Sequence, residues 1–186
     1  MVASKRDELV HEALQIFYRE GFHATGMDKL VAETGISKTS MYKHFRTKED
    51  LILATLRLRD EQFRNNFARR VEELADTPLE RLKAFFDALG EWFQDDNFKS
   101  CMFIKASSEY QDAKHPIHAA AAEHKRLLAH YFEELAKAAG LNDAEGLARR
   151  LLILAEGAIV IAHLHGVENV GNDVKAAAVA LIDTAC

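Results

Sequence analysis

The sequence predicts an all-α protein: an N-terminal three-helix helix-turn-helix DNA-binding domain, then a C-terminal helical domain, about nine helices in total. Three observations carry this expectation. Apolar residues recur three and four apart along most of the chain, the pattern of helices with one buried face. Only two prolines and nine glycines interrupt 186 residues, of which 48% are hydrophobic, enough for a sizeable core. Between Thr25 and Lys48 the chain reads TGMDKLVAETGISKTSMYKHFRTK, a helix, a glycine turn and a short second helix with a basic, aromatic and hydroxylic side. The domain boundary is expected between residues 47 and 48, giving a DNA-binding domain over 1–47 and a second helical domain over 48–186.

The first helix is expected from about Lys5 to Glu20, burying Leu9, Ala13, Leu14 and Phe17 and ending at Gly21. Thr25 with Asp28 suggests a capping box for the second helix, with Leu30 and Val31 turned inward. Gly35 supplies the left-handed residue that redirects the chain, and Ser37 caps the third helix, which buries Met41 and Phe45. Thr47 with Asp50 opens a long fourth helix carrying Leu51, Ile52, Leu56, Phe63 and Phe67. Thr77, Pro78 and Glu80 combine N-cap, first-turn proline and box partner for an aromatic fifth helix bearing Leu82, Phe85, Phe86, Leu89, Trp92 and Phe93. Asp95 to Asn97 break it. Further helices follow over about Ser100–Tyr110, Pro116–Ala139, Asp143–His165 and Asn172–Thr184.

A helix-turn-helix sends the start of its second helix to base edges while its flanks hold phosphates. Lys38, Thr39 and Ser40 are therefore the expected base readers. Thr25, Ser37, Tyr42, Lys43, His44 and Lys48 are expected phosphate or flanking contacts. From Ser37 to Lys48 there are four Lys or Arg residues and no Asp or Glu, inside a chain of formal net charge -5. The basic patch is local, and a local cluster is sufficient for counterion release on a docking face.

The stretch from Gly21 to Leu51, with GF at 21–22, TGMD at 25–28 and TGISKTSMYKHFRTKEDL at 34–51, resembles the TetR family of transcriptional regulators. Ser37, Lys38, Tyr42, His44, Phe45 and Lys48 stand where the family has the same or similar residues, while Gly26 and Val31 depart slightly. The resemblance implies a regulator, by family habit a repressor, released from a palindromic DNA operator by a small-molecule effector. It also implies that residues 48–186 form a C-terminal helical ligand-binding (effector-binding) and dimerisation domain, with a homodimer formed through the last two helices. Those helices are rich in small and branched residues, Leu151, Leu152, Leu154, Ala155, Ala158, Ile159 and Ala162, then Ala176, Ala177, Val179, Ala180 and Leu181. The alternative is that both helices belong wholly to the core of one chain.

For an effector, Phe86, Trp92 and Phe103 are candidate pocket walls, although an aromatic stripe at helical spacing is equally a plain core. Glu109, His124, Glu156 and His163 are polar groups beside apolar neighbours and need partners if buried. Converging, they could hold a ligand's polar group or a divalent ion; separately, they would be hydrogen-bonded pairs or part of a dimer seam. No tight ligand spacing is present, so neither metal nor cofactor is expected. His115, His118 and His130 are expected at the surface.

Cys101 stands near the start of the expected sixth helix, where the helix dipole favours a thiolate, with Lys105 one turn on and Lys99 nearby. SCMFIKASSEY also resembles a cysteine-containing stretch in a branch of the TetR family whose members respond to electrophiles or oxidants. Cys101 and Cys186 lack metal-finger spacing and read as free thiols. No run of 18 apolar residues or signal-peptide core occurs, so the expected location is the cytoplasm, with no membrane contact. Two other classes remain open: a helical protein-binding adaptor without DNA binding, and an enzyme built on Cys101. The second lacks any nucleophile elbow, phosphate loop or acid pair.

Overall fold

A computed structural model describes residues 4–186, which form helices and no strands. In chain order these are α1 Lys5–Glu20, α2 Met27–Thr34, α3 Lys38–His44, α4 Lys48–Leu74, α5 Pro78–Phe93, α6 Met102–Glu109, α7 Pro116–Ala138, α8 Ala144–His165 and α9 Val170–Asp183. The chain divides into two compact units, one comprising residues up to Phe63 with Met102–His124, the other Arg64–Cys101 with Lys125–Cys186. The division falls within α4 and α7.

The first unit is built around α1, which is capped by the Ser4 hydroxyl accepting the Asp7 amide. Leu9, Ala13, Leu14 and Phe17 are buried as their spacing requires, together with Phe22, Leu30, Met41 and Phe45. Two expected boxes behave differently. Thr47 and Asp50 exchange reciprocal side-chain to amide bonds of 3.1 Å and 3.1 Å, opening α4. The Thr25–Asp28 box does not form: the N-cap of α2 is Gly26, with no side-chain cap bond. Thr25 is buried and donates its hydroxyl to the Gly21 carbonyl, 2.8 Å away, which leaves Asp28 for another partner.

In the second unit the Thr77 hydroxyl accepts the Glu80 amide ahead of Pro78, starting α5 as the sequence predicts. Its rings interlock with those of α4 and α7: Phe85 lies 4.6 Å from Phe132 and 5.0 Å from Phe67, centroid to centroid. α9 crosses α5 at a glycine pair. A Cβ added to Gly171 would stand 3.0 Å from the Gly90 Cα, so the two backbones touch with no side chain between them. Ion pairs Lys83–Asp183 and Lys175–Asp87 flank the crossing.

The faces of α8 are distributed differently from the expectation. Leu151, Ala155, Ala158, Ile159 and Ala162 are buried within the chain. The solvent-facing stripe is instead Ile153, Gly157, Val160, Ile161 and Leu164, with Ile153 71% and Leu164 67% exposed. Summed richness in apolar residues did not show which side of α8 packs within the chain, because α8 is apolar almost all round.

Candidate nucleic-acid interface

α3 owes its start to Ser37, whose hydroxyl accepts the Ser40 amide at 3.2 Å, and its direction to Gly35, left-handed at φ 68°. Met41 fills the head's core, and Phe45 closes the helix with its amide on the Met41 carbonyl. This fixes which side faces out. Ser37, Lys38, Thr39, Tyr42, Lys43 and His44 are exposed and Ser40 is half-buried. One surface therefore presents hydroxyls, two ammonium groups, an imidazole and a phenol, the donor set that duplex recognition needs.

Two of the expected contacts are employed elsewhere. Thr25 is closed off by its bond to Gly21. Lys48 turns its ammonium back onto the carbonyls of Phe22 and Thr25, at 3.0 and 3.3 Å, and so fastens the α1–α2 turn instead of reaching outward. Lys38 pairs with Asp28 at 2.8 Å across the two helices of the reading pair. Its hydrogen bond to that carboxylate raises its pKa above the ordinary lysine value. Docking on DNA would exchange this exposed pair for phosphate or base acceptors.

The expected effector residues are met by separate partners. Glu109 accepts the backbone amides of Phe22, at 2.9 Å, and of His23. His124, 3% exposed, places Nδ1 2.7 Å from an Asp60 carboxylate oxygen and stacks on Phe103 at 3.7 Å. His163 is exposed, 6.5 Å from the Phe98 ring. Among the described residues no group of three or more His, Cys, Asp or Glu could hold a metal ion, so Glu109, His124, Glu156 and His163 do not converge on one. Phe86 is fully buried in the aromatic core, while Trp92 is half-buried against Phe67 and Phe98. Phe86 also backs a cleft of about 280 Å³ lined by Asp87, Gly90, Glu91, Asn169 and Lys175. His115 and His118 are half-buried around Tyr110, contrary to expectation, because the His118 ring bonds the Tyr110 carbonyl and His115 stacks on the Tyr110 ring.

One association was invisible in the sequence. The cation beside Cys101 is Lys125 of α7, whose ammonium lies 3.2 Å from Sγ and 2.7 Å from Glu156 Oε1 of α8. Lys105, the expected neighbour, donates to the Tyr18 carbonyl instead. Burial works against the charge on Lys125, but Cys101 and Glu156 outweigh it and hold its pKa above the usual value. Cys101 itself is buried. The separation of Cys101, Lys125 and Glu156 along the chain leaves no periodicity by which sequence reasoning could have found the cluster.

Comparison with known proteins agrees with this architecture. Residues 9–55 match the family model for bacterial regulatory proteins of the tetR family, and residues 78–178 match the tetracyclin repressor-like C-terminal domain. The HTH-type transcriptional regulator YjdC of Escherichia coli is 23% identical over 155 residues, covering 83% of this chain and 81% of its own. The HTH-type transcriptional repressor KstR2 of Mycolicibacterium smegmatis is 35% identical over 89 residues, 46% of this chain and 42% of that one. The crystal structure of SCO4454, a TetR-family transcriptional regulator from Streptomyces coelicolor, superposes with a TM-score of 0.91 at 28% identity, covering 97% of this chain and 89% of that one. With both its reading head and its C-terminal helices matched, the chain belongs to the TetR family of DNA-binding transcriptional regulators.

Proposed function

We propose that the protein is a cytoplasmic homodimeric repressor that reads a palindromic operator with α3 and is released by an effector. The observation that carries the reading is the outward face of α3, where the Ser37 cap and the Met41 anchor leave Lys38, Thr39, Tyr42, Lys43 and His44 to solvent. Lys38, Thr39 and Ser40 are assigned to base edges, and Ser37, Tyr42, Lys43 and His44 to phosphates. Thr25 and Lys48 serve the head internally. Dimerisation is assigned to the exposed stripe of α8 with the small residues Ala176, Ala177 and Ala180 of α9, since two half-sites need two heads and a two-fold contact supplies them from one repeated patch. Repression is favoured by the likeness to KstR2, a repressor.

Selection from a pool of random duplexes, with salt varied, tests this reading. Enrichment of a palindrome whose affinity falls steeply with salt supports it. No enrichment at low salt would instead leave a protein-binding helical adaptor as the reading to pursue. Placing the enriched site between a promoter and a reporter then separates repression from activation.

For the effector, the geometry around Cys101 favours a thiol-reactive signal. The Lys125 ammonium lies 3.2 Å from Sγ, where it can pair with the sulfur, and Glu156 keeps that ammonium in place. Alkylation by N-ethylmaleimide, followed by mass spectrometry, is expected to label Cys101 in the wild type and more slowly in Lys125→Met. Equal rates in the two proteins would remove Lys125 from the account. Loss of operator binding on labelling, absent in Cys101→Ser, would make the modification a release signal.

A further inference from the structure

The turn between α1 and α2 is held by charged side chains that bond its backbone, Glu109 also lying 3.7 Å from the His23 ring nitrogen. α1 ends with carbonyls that have no helical partner and is followed by amides that have none. Lys105 of α6 donates to the Tyr18 carbonyl at 2.8 Å. One turn further along the same helix, Glu109 accepts the amides of both Phe22 and His23. Lys48 of α4 takes the carbonyls of Phe22 and Thr25 from another side. The spacing of Lys105 and Glu109 puts both on one face of α6, so a cation meets the negative end of α1 and an anion meets the amides just beyond it.

Gly21 makes the approach possible. A Cβ there would stand 2.8 Å from a Glu109 carboxylate oxygen, and its φ of 88° is itself one that side chains rarely adopt. Tyr110 backs the contact, with its ring 6.4 Å from Phe22 and 4.8 Å from His23. α2 and α3 follow directly from this turn.

We infer that Glu109 and Lys105 are positioning residues for DNA reading: they fix the seat of the α1–α2 turn on α6, and with it the direction in which α2 and α3 leave that turn. The inference rests on the DNA-binding reading proposed above. Glu109, which sequence reasoning placed among effector groups, thereby belongs to the DNA-reading unit.

The test compares the wild type with Glu109→Ala, Glu109→Gln and Lys105→Met on the palindrome enriched by the wild type, together with amide hydrogen exchange. Glu109→Ala is expected to bind the operator about tenfold more weakly, with protection lost at Phe22 and His23 and retained in α3. Glu109→Gln, which keeps one carbonyl acceptor, should fall between. Lys105→Met should weaken binding in the same direction while leaving those two amides protected, which keeps the test decisive if Glu109→Ala does not fold. Operator affinity within twofold of wild type in Glu109→Gln and Lys105→Met, or an equal loss of α3 protection in both, would overturn the inference and leave the contacts as mere stabilisation. A wild type that selects no sequence would overturn the DNA-binding reading and this inference together, whereas a selective wild type with unaffected variants removes this inference alone.

Discussion

Two helices present surfaces that the chain itself leaves open, and they are opposites. α3 shows hydroxyls, cations and a phenol around a Ser37 cap, while α8 shows Ile153, Val160, Ile161 and Leu164. A polar, basic face gains affinity by releasing counterions and loses it as salt rises. An apolar stripe gains by leaving water, a contribution that salt weakens little and sulfate strengthens. The two associations proposed for this regulator should therefore separate along one experimental axis, with the dimer persisting at salt concentrations that strip it from DNA.

The sharpest way to break the comparison is to give α8 the character of α3. Leu164→Glu would place an unpaired carboxylate in the proposed seam, at a cost of about 3 kcal/mol, so dimer affinity should fall about a hundredfold by sedimentation, with operator binding following it. Unchanged mass would mean that the stripe is not the seam. On α3, Thr39→Ala should lower discrimination between the selected operator and a site altered at one base pair by about tenfold, read by competition binding. Lys43→Ala should weaken every duplex about equally, by a factor of about five, and flatten the salt slope by about one. An effect of similar size is expected on folding alone: Thr77→Ala removes the α5 cap and should lower unfolding stability by about 1 kcal/mol in urea without changing operator specificity.

What could be read from sequence follows the reach of each interaction. The Ser37 and Thr77 caps, the Thr47–Asp50 box and the burial of Met41 and Phe45 depend on residues within a turn or so of one another, and all appear where expected, whereas the Glu80 carboxylate takes the Thr77 hydroxyl. The Thr25–Asp28 box failed although its spacing was right, because Thr25 was captured by the Gly21 carbonyl behind it. A polar residue in a short connector has several nearby backbone partners, and spacing alone does not choose among them. The placement of Glu109 was beyond reach for another reason. Its partners are 87 and 86 residues away, and they are main-chain amides, which leave no trace in residue identity. The same holds for Lys125 beside Cys101, where a nearer lysine, Lys105, offered a plausible but mistaken neighbour.

The contact between Gly90 and Gly171 has a mechanical consequence. Side chains at a helix crossing act as bushings that change rotamer and absorb small movements, but bare main chain has no such compliance. With an added Cβ on Gly171 only 3.0 Å from the facing Cα, α5 and α9 meet as a bearing without clearance. Gly171→Ala would press on main chain that must give by a few tenths of an ångström, which makes it a natural route to a temperature-sensitive form of this regulator.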